Sequence, residues 1–352
     1  MVPRTRSVVV RSASALALMA LLAGCGSSGG STSPLAAGGL NSANGLTQGV
    51  ITGFGTIHLG HGAKERVFHT EGAKLSRFDD GVTRTGGFDD ATVFRVGMKV
   101  RILTSENDST RATEVTFMDD LEGPITAKPS THAGATFDVL GVPVLVDANT
   151  RFDDSFGHSG LTLDSLQVGN VVELSGDFDA GGVLHATFIE GEQASAMGRT
   201  FEMKGQVTDL SGAPPTQTFK VNGASFTTDQ GTQLEHLPAG LVNGAFVQVK
   251  TMSTSAPLVA TKVEGLNEES GDSDGGDDEE HHIEKVSVEG FVTDLTGTSP
   301  NFSFTLDTRH VVTSSATKGL ALVAPNAHLQ AKGPVDSTGT IAATKIETEN
   351  DD

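Results

Sequence analysis

Gly49-Val50-Ile51-Thr52, Gly123-Pro124-Ile125-Thr126, Gly205-Gln206-Val207-Thr208 and Gly290-Phe291-Val292-Thr293 are four copies of one tetrad, Gly-x-(Ile or Val)-Thr. They begin 74, 82 and 85 residues apart. Each is followed, 63, 63, 55 and 53 residues on, by a second signature, Ala-Thr-x-(Val or Ile): Ala112-Thr113-Glu114-Val115, Ala186-Thr187-Phe188-Ile189, Ala260-Thr261-Lys262-Val263 and Ala343-Thr344-Lys345-Ile346. One tetrad alone carries no information. Two motifs recurring in the same order four times define a repeat, and a repeat takes precedence over any local reading.

A third element lies between the two signatures. It reads Phe94-Arg95-Val96-Gly97-Met98-Lys99-Val100-Arg101-Ile102 in the first copy, Leu166 to Leu174 around Gly169 in the second, and Leu241 to Val249 around Gly244 in the third. The glycine admits a tight turn and the alternation behind it sends one strand face inward. In the fourth copy the counterpart runs from Val323 to Ala331 with Asn326 at the glycine position, and Asn also tolerates left-handed geometry. Short alternating runs such as Thr136 to Val139 and Val142 to Val146 fill the space after each tetrad, giving each unit about five strands. Short helical turns are expected at Leu161–Leu166 and Gln233–Leu241.

Three strands, a variable connection and two more strands is the order of a small OB-like barrel, and closure hides edges that tandem β units would otherwise present to one another. The expected fold is all-β: four tandem small OB-like antiparallel β-barrel repeats behind a signal segment. The alternative is an open sandwich with strands exchanged between neighbours. The units are placed at 49–122, 123–192, 202–265 and 286–348, with a linker at 266–285.

The stretch Gly49-Val50-Ile51-Thr52-Gly53-Phe54-Gly55-Thr56-Ile57, with Val96 to Val100 and Phe117 to Ile125, resembles the bacterial repeat family known as domain of unknown function 5666. The resemblance covers 49 to about 265 well and 286–348 loosely. It implies tandem β repeats in lipoproteins and brings no catalytic residues.

The N-terminus has the layout of an export signal: Arg4, Arg6 and Arg11, an apolar run from Ala13 to Leu22, then Ala23-Gly24-Cys25. The run is too short for a bilayer span, which takes roughly 20 residues. Leu22-Ala23-Gly24-Cys25 resembles the lipobox of bacterial lipoproteins, which implies cleavage of 1–24 and acylation of Cys25, the one cysteine in the chain. Several acyl chains anchor stably, at about 0.8 kcal/mol per buried methylene. Gly26 after the cysteine is similar to the outer-membrane sorting pattern. Residues 25–48, rich in Gly, Ser, Ala and Asn, read as a flexible tether.

Lys and Arg number 24 against 44 Asp and Glu, a formal charge of −20 that becomes −23 once the three arginines of 1–24 are removed. So acidic a chain repels phosphate backbones, which argues against nucleic acid as partner. Trp and Tyr are absent, leaving 18 Phe as the aromatic core formers. The segment Asn267 to His282 is expected to be a disordered acidic linker. Its Asp272, Asp274, Asp277 and Asp278, with His281 and His282, are the candidate ligands for a weak divalent cation, although their spacing is not that of a calcium loop. His58, His61 and His69 read as surface histidines near a turn, and Asp79-Asp80, Asp89-Asp90, Asp119-Asp120 and Asp153-Asp154 as turn formers.

No nucleophile elbow, phosphate loop or Cys-His arrangement is present, so no enzyme and no cofactor is expected. The expected role is a noncatalytic, membrane-anchored envelope lipoprotein whose modules act as a spacer or as a binding array for an envelope protein or glycan. The alternative is a divalent-cation-binding envelope protein using the acidic linker and the His-containing loops.

Overall fold

A computed structural model describes residues 44–60, 65–77, 82–87, 90–105, 107–117, 119–153, 160–192, 198–266, 283–336 and 339–348. Cys25, the acidic segment 267–282 with all six candidate ligands, His61, Asp79, Asp80, Asp89 and Asp154 lie outside the described residues.

Each tetrad sits in the strand that opens a module: Asn44–Gly53, Leu121–Ala127, Phe201–Ala213 and Ile283–Thr298. In module 2 the opening strand pairs antiparallel with Phe137–Val139, which pairs antiparallel with Val142–Leu145. Val142–Leu145 runs parallel to the closing strand Leu184–Gly191, the closing strand pairs antiparallel with Val171–Phe178, and Val171–Phe178 returns antiparallel to the opening strand. The pairs make a ring in the order one, two, three, five, four, one. Module 3 repeats it. Module 4 does so with a broken closing strand, Ile341–Ala342 and Lys345–Thr348. In module 1 the parallel contact is a single bridge, His69 to Arg111. The rings are therefore OB-like, and one pair in each is parallel because the third strand reaches the closing strand by a crossover rather than a hairpin.

The three signatures are parts of one hydrogen-bonded knot. The tetrad's Ile51, Ile125, Val207 and Val292 are buried, and their carbonyls accept from the amides of Gly97, Gly169, Gly244 and Asn326 at 2.8 to 2.9 Å. Those four turn residues have φ of 98°, 91°, 85° and 61°, so Asn326 stands in for glycine as its tolerance of left-handed geometry allows. In modules 2 and 3 the tetrad glycine is required by a close approach: a Cβ on Gly123 or Gly205 would meet Leu140 at 2.6 Å or Asn222 at 2.5 Å. In the closing signature the hydroxyls of Thr113, Thr187, Thr261 and Thr344 donate across to the carbonyls of Leu103, Ser175, Lys250 and Lys332 at 3.0 to 3.3 Å.

One helical turn forms where expected, at Leu163–Ser165, capped by the Thr162 hydroxyl. The other does not: Gln233–Glu235 is a strand, paired in parallel with Lys262–Glu264, because the closing strand offers it a free ladder and Lys262 an ion pair to Glu235 at 2.8 Å.

The modules are joined by their opening strands. Leu121–Glu122 pairs antiparallel with Glu202–Met203, and the buried residues of modules 2 and 3 form a single cluster. Along the inner face Ile189, Leu174, Leu121, Met203, Val249 and Val263 lie in register one beside the next. Modules 1 and 4 meet through a parallel pairing, Gly45–Thr47 against Lys285–Ser287, and keep separate cores.

Candidate functional site

The polar residues that precede the four tetrads, Gln48, Glu122, Lys204 and Glu289, all point into contacts with charged groups at the module junctions. Gln48 donates to Asp307, Arg199 to Glu122 at 2.7 Å, and Lys204 to Asp119 Oδ1 at 2.6 Å and Glu202 Oε1 at 3.0 Å. Glu289 lies 3.8 Å from His328 Nδ1. In modules 1, 2 and 3 the outer face at the start of the opening strand is therefore tied to a group beyond the module, whereas Glu289 faces His328 of its own module.

The densest of these contacts surrounds Lys99, only 5 % exposed, at the junction between modules 1, 2 and 4. Its Nζ stands 3.1 Å from Asp120 Oδ1, 3.1 Å from Asp307 Oδ1 and 3.4 Å from Asp177 Oδ1, and it donates to the Gly176 carbonyl. Burial alone lowers a lysine, but Asp120, Asp307 and Asp177 outweigh it and hold the ammonium well above its ordinary value. Burial also pushes Asp120 up to about 6 against the pull of Lys99, with Asp307 and Asp177 adding to the rise. Asp177 goes the other way, to about 2, because Lys99 and His328 overcome its burial. His328 Nε2 is 3.2 Å from Asp177, and its ring meets Phe291, which in turn meets His185 of module 2.

Two further contacts hold module 1 on module 2. Arg77 reaches Glu173 at 3.0 Å and Glu190 at 2.8 Å while its guanidinium covers the Phe117 ring. Phe188 of module 2 packs edge-on against Phe117 inside the core of module 1.

Between modules 1 and 4 lies a shallow cleft lined among others by Gln48, Arg66, Glu289, Gln330 and Glu347. Arg66 donates to the hydroxyls of Ser287, at 2.9 Å, and Thr47. Burial lowers it, and Glu289 and Glu347 counteract the fall. Burial raises Glu347, but Lys332 at 2.8 Å and Lys345 at 2.5 Å bring it down to about 2. The cleft offers hydrogen bonds and mixed charge to a small polar molecule.

The acid pairs need correction. Asp119 and Asp120 do sit in the bend between the strands Asp108–Phe117 and Leu121–Ala127, but they are also buried partners of Lys204 and Lys99. Asp90 is buried as well, accepting from Thr70 and from the Gly87 amide, and Asp153 pairs with Arg95 at 2.5 Å. For Asp90, Asp119 and Asp120 a cation or hydrogen-bond donor offsets the burial of the carboxylate, while Asp153 is only half-buried. His58 binds Glu65 at 2.9 Å and Thr56 at 3.0 Å in a partly exposed hairpin. Among the described residues there is no group of three or more His, Cys, Asp or Glu side chains that could hold a metal ion, and no helix long and apolar enough to cross a membrane.

The family model described as Domain of unknown function (DUF5666) matches residues 122–190, 204–264 and 289–347. The chain belongs to that family. Each DUF5666 match runs from the residue at or just before the tetrad glycine to the closing strand, so the matched unit is one ring. Module 1, from which the resemblance was chiefly drawn, lies outside the matched residues, and module 4, the looser copy, lies inside them. Module 1 departs from the other rings by an added strand, Val82–Thr85, and a helical turn at Asp90–Val93. No curated protein matches this chain.

Lys99, Asp177, Asp307 and His328 carry no local motif, and a signal for them exists only in the repeat itself. Aligned on the turn residue, Lys99 and His328 occupy the position held by Val171 and Phe246 in modules 2 and 3. A strand position that is apolar in two copies and basic in two marks a contact that the repeat alone does not supply.

Proposed function

We propose that this DUF5666 chain is a noncatalytic envelope lipoprotein, anchored through Cys25, in which the OB-like modules form one spacer block with a binding groove rather than a string of independent beads. The observation that carries the reading is the joining of opening strands across modules, Leu121–Glu122 with Glu202–Met203 and Gly45–Thr47 with Lys285–Ser287. Independent binding modules on flexible links would keep those faces free; here they are used to fix neighbours. The lining of the Arg66 cleft, Gln48, Arg66, Glu289, Gln330 and Glu347, is polar and of mixed charge, which suits a polar partner such as a glycan better than an apolar one.

The anchor is tested by metabolic labelling with an alkyne fatty acid. The wild-type chain should take the label and enter the detergent phase, and Cys25→Ala should do neither. An unlabelled wild type would overturn the lipid anchor. The block is tested by unfolding of the mature chain, which should show modules 2 and 3 melting together; separate transitions for them would return the reading to independent beads.

A further inference from the structure

The face of the sheet opposite the shared apolar row carries a second row in register. Asp153 lies beside Glu190, Glu190 opposite Glu173, Glu173 opposite Glu122, Glu122 opposite Glu202, Glu202 opposite Lys250 and Lys250 opposite Lys262. Neighbouring strands are ~4.8 Å apart, and like charges directly opposite one another on a sheet are destabilising. Five carboxylates thus stand abreast, and the pair that spans modules 2 and 3 is Glu122 with Glu202. The cations that reach the centre are divided between acids: Arg199 between Glu122 and Glu192, Lys204 between Glu202 and Asp119, Arg77 between Glu173 and Glu190. Lys250 adds a contact to Glu202 at 3.1 Å.

We propose that this row makes the contact between modules 2 and 3 a proton-operated seam, in which Glu122 takes up a proton on mild acidification, relieves its opposition to Glu202 and tightens the two modules together.

Glu122 is faced by Glu173 from the strand Val171–Phe178, by Glu202 from the strand Phe201–Ala213, and by Arg199 and Glu192 from the connection between the modules. Burial pushes its carboxyl up to about 7; Arg199 opposes the rise, and Glu202 and Glu192 add to it. A folded-state value above the ordinary carboxylate range means that the folded chain binds the extra proton. Stability therefore grows as pH falls from about 7 toward 4.5 and is lost as pH rises through about 7. His328 pairs with Asp177 at the junction of modules 1, 2 and 4.

The test is denaturant unfolding of the whole mature chain between pH 8 and pH 6, with hydrogen exchange at Leu121, Glu122, Glu202 and Met203 corrected for the intrinsic pH dependence of exchange. One proton of this kind predicts that opening of the seam falls about tenfold over that range. Glu122→Gln should flatten the response and hold the seam closed at pH 8. Arg199→Gln removes the opposing cation, so it should move the response to higher pH, and it keeps the proposal testable if Glu122→Gln does not fold. A wild-type seam indifferent to pH, or a Glu122→Gln or Arg199→Gln chain with the wild-type response, would overturn the proposal.

Discussion

Modules 2 and 3 are joined through apolar side chains in register, Leu121 beside Met203, whereas modules 1 and 4 are joined through a short parallel ladder and a polar groove. The first junction makes two cores into one; the second leaves two cores, with Leu46 of module 1 packed into that of module 4. The difference lies in how the opening strands approach. An antiparallel approach with Leu121 opposite Met203 brings two inner-face residues side by side, so the hydrophobic gain is continuous across the boundary. A parallel approach confined to the strand starts gives one apolar pair, Leu46 with Val286, beside Thr47 against Ser287, and the contact is completed by Arg66 hydrogen bonds. What modules 1 and 4 lack in shared core is supplied by Lys99, which ties both to module 2.

The largest effect is expected from Lys99→Ala. It leaves Asp120, Asp177 and Asp307 buried together without their cation, and removing one partner of a buried ion cluster costs about 3–5 kcal/mol. Equilibrium urea unfolding at pH 7 measures it, and part of the loss should be recovered at pH 5, where Asp120 is protonated. A loss below about 1 kcal/mol would mean that water already solvates the junction.

Met203→Ala sharpens the comparison from the other side. Truncating a fully buried methionine costs about 2–5 kcal/mol, and because the core is shared, exchange protection should fall at Leu174 in module 2 as well as at Val249 in module 3. Protection lost in module 3 alone would divide the core into two.

The smallest effect belongs to the groove. Glu347 has its folded-state value depressed to about 2 by Lys332 and Lys345, so what it contributes is present above the ordinary value of 4.5 and lost as pH falls toward 2. Exchange at Leu329 and Ile346, which flank these ion pairs, should rise between pH 4.5 and pH 2.5, while Lys345→Gln should lessen the dependence. The two junctions thus respond to acid with opposite sign: the Glu122 seam gains above pH 4.5 in the direction of falling pH, and the last hairpin of module 4 loses below it.

The repeat motifs carried much of the fold because their reasons are local. Alternation put Ile51, Ile125, Val207 and Val292 inside, and the turn chemistry of Gly97, Gly169, Gly244 and Asn326 fixed where each fourth strand starts. Gln233–Glu235 was misread as helical because its ladder partner, Lys262–Glu264, comes about 30 residues later in the chain. The buried acids were misread for the same kind of reason. Asp119-Asp120 has the composition of a turn and lies in a bend, but only the arrival of Lys204 from module 3 and of Lys99 from an earlier strand makes a buried carboxylate stable there.

Strand period, turn residues and threonine hydroxyls act over a few residues and recur with each copy, so the primary structure is enough to establish a tandem repeat of small β units; their closure into rings rests on the pairing of the fourth strand with the opening one. Which rings share a core, which face one another across charge, and where the glutamates line up are settled by the register between opening strands. That register depends on side chains from separate modules meeting in space, and no spacing along the chain encodes such a meeting.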